Sequence, residues 1–371
     1  MADRYTRDSA KVTLEVRGRQ YDGWLSCEVD RSIEAIAGTF SVPVALVPGS
    51  PPAIARQDEV TVRIGGQVVI TGYVLSADPF YDVRDCGLRV VGRDRTGDMV
   101  RSSAQHQGGQ WRNAKLDQIA RDLAKPYGIE VVVDTDLGAP IAEFKLYQGE
   151  PAVDALARAA RLRGVLLAPD GKGRLALTKA GTKRFRGQIR RGWNVISMQG
   201  AGTDENRHSH YIAYGQRNVV DDFDQARSLK AVAKDPEVAR YMPLVINADG
   251  NTTQAELQTL VDHTMRVRRG HSMGFRYRVE GWTFEGEPWP LNQRVPIYDD
   301  VAGLDGAEWL IASVRQHVDL REGDVTDLLV RPVEAYHTAP LKTKVHRKNW
   351  GNRGNTTNHP RGPRDGASGG R

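Results

Sequence analysis

Val60-Thr61-Val62-Arg63-Ile64-Gly65-Gly66-Gln67-Val68-Val69-Ile70-Thr71-Gly72-Tyr73-Val74 decides how the chain is read. Apolar and polar side chains alternate on either side of Gly65-Gly66, and a period of two puts every second side chain on one face of a strand. A Gly-Gly pair between two such runs supplies the positive φ angles of a tight hairpin turn. The same alternation occurs in Lys11 to Arg17 and in Leu88 to Gly92. Residues 1–100 therefore read as a first antiparallel β domain, a small barrel or split barrel.

Beyond residue 100 the period changes. Leu116, Ile119, Ala120 and Leu123 recur at three and four, which predicts a helix capped by Asn113 and ended by Pro126-Tyr127-Gly128. A second helix is expected from about Pro151, turning Val153, Leu156, Ala157 and Ala160 inward before the strand Val165 to Ala168. Asp170-Gly171-Lys172-Gly173 then turns the chain back through Leu175-Ala176-Leu177. Residues 101–184 are thus an α+β insertion domain. Strand character returns at Trp193 to Gln199 and His210 to Gly215, and residues 185–220 are expected to complete the first barrel.

Residues 221–272 read as a helical and loop segment. Thr253 and Glu256 have capping-box spacing, opening a helix to about Arg269 with Ala255, Leu260, Val261, Thr264 and Met265 on its apolar face. Strands resume in 273–339, read as a second barrel that repeats the first in outline. Val60 to Ile64, the long strand through Gly72-Tyr73-Val74 and the closing strand to Gly92 find counterparts in Val295 to Tyr298, a strand through Ile311-Ala312-Ser313-Val314, and Leu328 to Val330. The expected fold class is β-rich α+β: two similar small β-barrel domains with an α+β insertion and a helical segment.

The chain has 371 residues and a formal net charge of +6, with 40% hydrophobic and 26% charged residues, enough apolar content for packed cores. The charge is concentrated at one end: residues 342–371 carry eight bases and Asp365, a net of +7, leaving −1 for the rest. A basic tail at 340–371, rich in Gly, Asn, Arg and Pro and without period, is expected to be disordered or ordered only on a partner. Its bases and Trp350 could contact phosphates, but a near-neutral body offers no basic groove to continue such a site. Cys27 and Cys86 are too few for a disulfide framework and match no metal spacing. MADRYTRDSA has no apolar stretch of signal-peptide type, and no apolar run is long enough for membrane insertion.

No catalytic motif is present: GxSxG, HExxH, GxxxxGK[ST] and the EF-hand loop are all missing. Gly200-Ala201-Gly202 lacks the third glycine of a dinucleotide fingerprint. His208 and His210 sit at strand spacing and could begin a metal site, but nothing nearby supplies further ligands. Glu285, Glu287 and Glu308 lack the supporting signature of a glycosidase pair. Arg266, Arg268 and Arg269 crowd a helix end, where cations favour the helix dipole. No catalytic, cofactor-binding or metal residues are assigned, and no cofactor is expected.

Several stretches in order resemble the tail protein P family of Mu-type phages, the baseplate hub proteins related to the late control protein D group and the T-even hub. They are Gly72-Tyr73-Val74, Val91 to Val100, Asp154 to Leu167, Asn206 to Tyr211 with Gly215-Gln216, His271-Ser272, Val279-Glu280-Gly281-Trp282 and Trp289-x-x-Asn292. The resemblance covers residues 5 to 338 and departs from the family in the basic tail. It implies a late structural protein of a contractile viral tail, not an enzyme. As a homotrimer of two barrels per chain, it would match the six-fold tail tube protein above and the central spike protein below. Baseplate wedge proteins would meet it outside, and DNA would pass through its channel without sequence-specific binding. The expected location is the virion tail baseplate, after assembly in the host cytoplasm. Two other readings are a hub-associated peptidoglycan hydrolase and a type VI secretion spike-like protein.

Overall fold

The computed structural model describes residues 10–22, 26–45, 53–83, 86–216, 229–251, 253–319 and 321–337. The basic tail at 340–371 lies outside the described residues, as does 221–228. The first part of the chain forms β1 (Val12–Val16), β2 (Arg19–Tyr21), β3 (Glu28–Ser32), β4 (Thr39–Ala45), β5 (Glu59–Ile64), β6 (Gln67–Tyr81) and β7 (Cys86–Asp94). Val60, Val62 and Ile64 are buried while Thr61 and Arg63 between them are not, as the alternation requires. Gly65 and Gly66 turn the chain with φ of 57° and 78°. In order, β1, β5, β6, β7, β4 and β3 pair antiparallel, enclosing Leu14, Phe40, Val42, Ile70 and Val90.

The insertion contributes α1 (Gly97–Arg101), β8 (Gln110–Ala114), α2 (Leu116–Ala124), β9 (Val131–Val133), β10 (Ile141–Lys145), α3 (Ala152–Arg161), β11 (Leu166–Pro169) and β12 (Leu175–Thr178). It folds around its own core, in which Leu116, Ile119, Leu123, Leu156 and Ala160 are buried as the helical spacing demands. Asn113 does not cap α2: the cap position is Lys115, and Asn113 holds a left-handed φ of 50° two residues earlier, in β8. The Asp170–Gly173 turn ties the insertion to β6, where Thr71 donates to the Gly171 carbonyl at 3.1 Å.

Then follow β13 (Lys183–Arg184), β14 (Ile189–Arg190), β15 (Val195–Gly200), β16 (His210–Gln216), β17 (Leu229–Lys234), β18 (Pro243–Asn251) and α4 (Gln254–Ser272). The expectation of helix and loop over 221–272 misses two strands. β17 and β18 flank β16, and α4 packs on that sheet through Leu257 and Val261. Leu229 to Lys234 escapes a propensity reading because Ala and Lys disfavour strands, while Ala231 and Ala233 are kept small by the helix above them. The Thr253 capping box forms, with Glu256 accepting from the Thr253 amide at 2.8 Å and Thr253 Oγ1 accepting from the Glu256 amide at 3.3 Å.

The last part comprises β19 (Phe275–Glu280), β20 (Thr283–Phe284), β21 (Glu287–Pro288), β22 (Gln293–Asp299), β23 (Leu304–Asp319) and β24 (Gly323–Arg331). Its pairing order of β22, β23, β24, β19 and β15 repeats β5, β6, β7, β4 and β3. The registers agree residue by residue. Val62 faces Ile70 as Ile297 faces Ala307, and Val74 faces Gly92 as Ile311 faces Val330. Each long strand carries two bulges six residues apart, at Val69 and Leu75 in β6 and at Gly306 and Ala312 in β23. Gln57 and Asn292, both at positive φ, donate their amides to Val74 and Ile311 at 2.8 and 3.0 Å. Phe40 and Phe275 occupy the same register position. The faint likeness in sequence is a repeated fold with matching registers.

Residues 185–220 do not complete the first repeat, as sequence order suggested. β14 lies beside β22, as β13 does just before it, and β15 pairs β19, so residues up to Gly200 complete the second, while β16 joins the separate sheet of β17 and β18. The corresponding slot beside β5 is already filled by β1, leaving those strands only the C-terminal meander. The two repeats merge into one sheet through β3 and β23, whose principal pairing path runs from β15 to β2.

Candidate functional site

The junction of the repeats is built from polar contacts as well as strand pairing. β23 lies antiparallel to β3, with Val314 opposite Arg31 and Arg315 opposite Asp30. Arg315 grips Glu28 with two hydrogen bonds of 3.0 Å, the bidentate geometry that fixes direction as well as distance. Arg31 donates to the Trp289 carbonyl at 2.9 Å and to Gln316 at 3.2 Å, and Gln316 donates to the Trp282 carbonyl at 2.9 Å. Val318 and Trp282 pack against the core of the first repeat.

The matching edges elsewhere are open. Past Val74, whose amide and carbonyl bond Asp58 and Gln57, no described strand pairs with β6 on the side away from β7, although the Arg56 side chain reaches the Asp78 carboxylate at 3.3 Å. The hairpin continues to Phe80, Tyr81 and Val83, which are 38%, 85% and 104% exposed. At the other end of the sheet, β15 pairs β19 on one side and on the other carries, among the described residues, the single bridge Val195–Arg191. Beside it runs a groove of about 510 Å³ lined by Arg191, Val195, Ile196, Ser197, Met198 and Val301. Pro79 was the signal of the open edge in the sequence, since a residue without an N–H is confined to sheet edges.

The residues weighed for chemistry are engaged in ordinary contacts. His208 meets Arg268 at 3.3 Å and Tyr211 edge to face, while His210 bonds Ser209 at 2.9 Å. Among the described residues no group of three His, Cys, Asp or Glu is placed to hold a metal ion. Glu308 binds Arg184 and Arg294 at 2.6 and 2.8 Å, Glu287 binds Arg186 at 2.9 Å, and Glu285 lies in a turn at φ 49°. Gly200-Ala201-Gly202 ends an edge strand, its Ala201 amide held by Gly274 at 2.8 Å. The arginines of α4 are tied to protein groups: Arg266 to Asp262, Arg268 to Asn206, Arg269 to Glu237. Among the described residues no helix is long and apolar enough to cross a membrane.

Asp94 is the conspicuous carboxyl. It borders a cavity of about 280 Å³ between both repeats and the insertion, with Arg31, Asp170 and Glu287 around it. Burial pushes it up to about 6, although the Thr96 amide and hydroxyl donate to it at 3.1 and 2.9 Å. Those bonds start the turn into α1, a structural task. A carboxyl raised above its unfolded value burdens the fold once ionised, so the cost is absent below about pH 4 and complete above about pH 7. Asp94→Asn should therefore gain roughly 2–3 kcal/mol relative to wild type on going from about pH 4 to about pH 8. Urea unfolding of both at several pH values measures this, and a pH-independent difference would refute it.

Comparison with known proteins gives this architecture a lineage. Residues 11–94, the first repeat, match the N-terminal domain model of the Mu phage baseplate assembly protein GpP-like family, and residues 96–179 match the second domain of the baseplate hub protein gp44-like family. The baseplate hub protein gp44 of Escherichia phage Mu is 33% identical over 352 residues, 92% of each chain. The chain belongs to the Mu-type baseplate hub family. The 43 kDa tail protein of prophage MuSo2 from Shewanella oneidensis superposes on this hub protein with a TM-score of 0.79, at 33% identity, over 89% of this chain and 100% of that one. A type VI secretion component of E. coli shares the fold at 11% identity and a TM-score of 0.55, over 89% of this chain and 80% of that one. The hub family is a structural one, as the resemblance implies.

Proposed function

We propose that the chain is the ring-forming hub of a contractile phage tail baseplate. Three copies would present six repeats to the hexameric tail tube and a three-fold face to the central spike, with DNA passing through the channel without sequence-specific binding. The observation that carries this reading is the duplicated fold, in which register, bulges and left-handed residues recur within one chain. A trimer of doubled units is the simplest object that meets six-fold symmetry on one side and three-fold on the other.

Each repeat then serves as a barrel-type wall unit whose closure is completed by its neighbours. The insertion and the layer formed by β16, β17, β18 and α4 face outward, toward the wedge proteins. The charge of −1 outside residues 342–371 suits a conduit for polyanions, because a basic wall would retain the phosphate backbone. The assembled ring resides in the virion tail, after assembly in the host cytoplasm. Light-scattering mass should give about three times 41.1 kDa for the chain alone, or three copies of it in a complex with the spike protein. A monomer under both conditions would overturn the proposal.

A further inference from the structure

We infer that the free hairpin of β6 and β7 docks on the free edge of β15 in a neighbouring copy, reproducing between chains the β23–β3 junction found within one. The inference rests on the ring reading and specifies its contact. The correspondence of the repeats places β6 where β23 lies and β15 where β3 lies. One chain uses β23 and β3 on each other, so β6 and β15 are left over. An edge-to-edge contact of this kind is heterologous, and the rotation that makes each repeat equivalent to the next closes it into a ring.

The register follows. Val314 opposite Arg31, Arg315 opposite Asp30 and His317 opposite Glu28 become Ala77 opposite Gly202, Asp78 opposite Ala201 and Phe80 opposite Gln199 of the next copy. Continuing it brings Tyr81 and Val83 over Met198 and Ile196, into the groove beside β15. This placement explains two features at once. The most exposed apolar side chains of the hairpin receive a lining, and Tyr81 takes the role of Val318, which packs against the core of the other repeat. Pro79 stands where Gln316 stands and lacks its donor, so the contact has fewer backbone bonds than its internal model and leans more on the aromatic tip.

The test is a disulfide between copies. Asp78→Cys with Ala201→Cys, in a Cys86→Ser background that removes the exposed native thiol, pairs two positions at a non-hydrogen-bonded site. There Cα atoms approach to about 4.5 Å. Oxidation should yield covalent dimers and trimers that dithiothreitol dissolves. Asp78→Cys with Gln199→Cys, two residues out of register and thus about 7 Å displaced, should yield none. Tyr81→Ser, at a site open to solvent in the single chain, should fold normally and weaken trimerisation at least about tenfold. A wild-type trimer whose Asp78/Ala201 variant stays uncross-linked, or whose Tyr81→Ser variant assembles unchanged, overturns this contact and leaves the hub proposal standing. A wild-type monomer at every concentration, both alone and with the spike protein, with no covalent species, overturns both.

Discussion

Gly72→Ala is expected to abolish the stable fold. A Cβ on Gly72 would lie 1.9 Å from the Arg93 carbonyl oxygen and 2.8 Å from both the Arg93 carbonyl carbon and the Arg95 amide. All three are backbone atoms, so no rotamer change relieves the overlap and β6 and β7 must move apart. That separation would disturb a ladder running from Gly72 to Tyr81 and the Phe40, Val74 and Val90 packing beneath it. Overpacking against side chains costs about 1–3 kcal/mol; against backbone in a central strand we expect 4 kcal/mol or more, a large share of the roughly 5–15 that stabilise a domain. Soluble yield and the urea midpoint measure the loss. A midpoint equal to that of the wild type would refute the assignment of this crossing as rigid. The second repeat has Trp309 at the equivalent place, so the requirement belongs to this strand pair and not to the repeated pattern.

Asp235→Ala should cost about 3–5 kcal/mol, the usual loss when one partner of a buried ion pair is removed. Its side chain is 0% exposed and that of Arg207 only 7%, and the two are joined by bonds of 2.6 and 2.9 Å. The Arg207 hydrogen bonds hold the Asp235 carboxyl below the usual carboxylate range. Its stabilisation is therefore complete above about pH 4, the unfolded value, and is lost as pH falls through the lower folded one. Glu237 also binds Arg207, at 2.5 Å, and reaches Arg269 of α4, so the network fastens the loop before β16 to both β17 and the helix. Thermal unfolding of Asp235→Ala should show the α4 layer melting first. Arg207→Met with Asp235→Leu should recover much of the loss, since a paired apolar replacement leaves no stranded charge. If the double variant is as unstable as the single, the ion pair is not the source of the effect.

Much of the fold was legible because it is written in periods. The alternation around Gly65-Gly66, the three-four spacing of α2 and α3 and the Thr253 capping box each reflect a constraint that acts within a dozen residues. β17 was missed because its inward positions are alanines, small enough for a helix to cover and therefore weak as a strand signal. The role of 185–220 was misjudged for another reason. Two strand edges could receive it, and the choice depended on β1 having already occupied one. Both buried partners, Arg207 and Asp235, are 28 residues apart in sequence, and nothing in either neighbourhood marks them as a pair.

The sequence by itself determined the local elements, the near-neutral body with its basic tail, and the family resemblance, because side-chain period, charge and motif order are properties of the chain alone. The tertiary structure decided which edges are satisfied and which remain open. A strand's second hydrogen-bonding partner comes from anywhere in the chain, or from another copy, so β23 finds β3 while β6 and β15 do not find each other. That asymmetry between two repeats of matching register turns a faint duplication into a specific expectation of how copies meet.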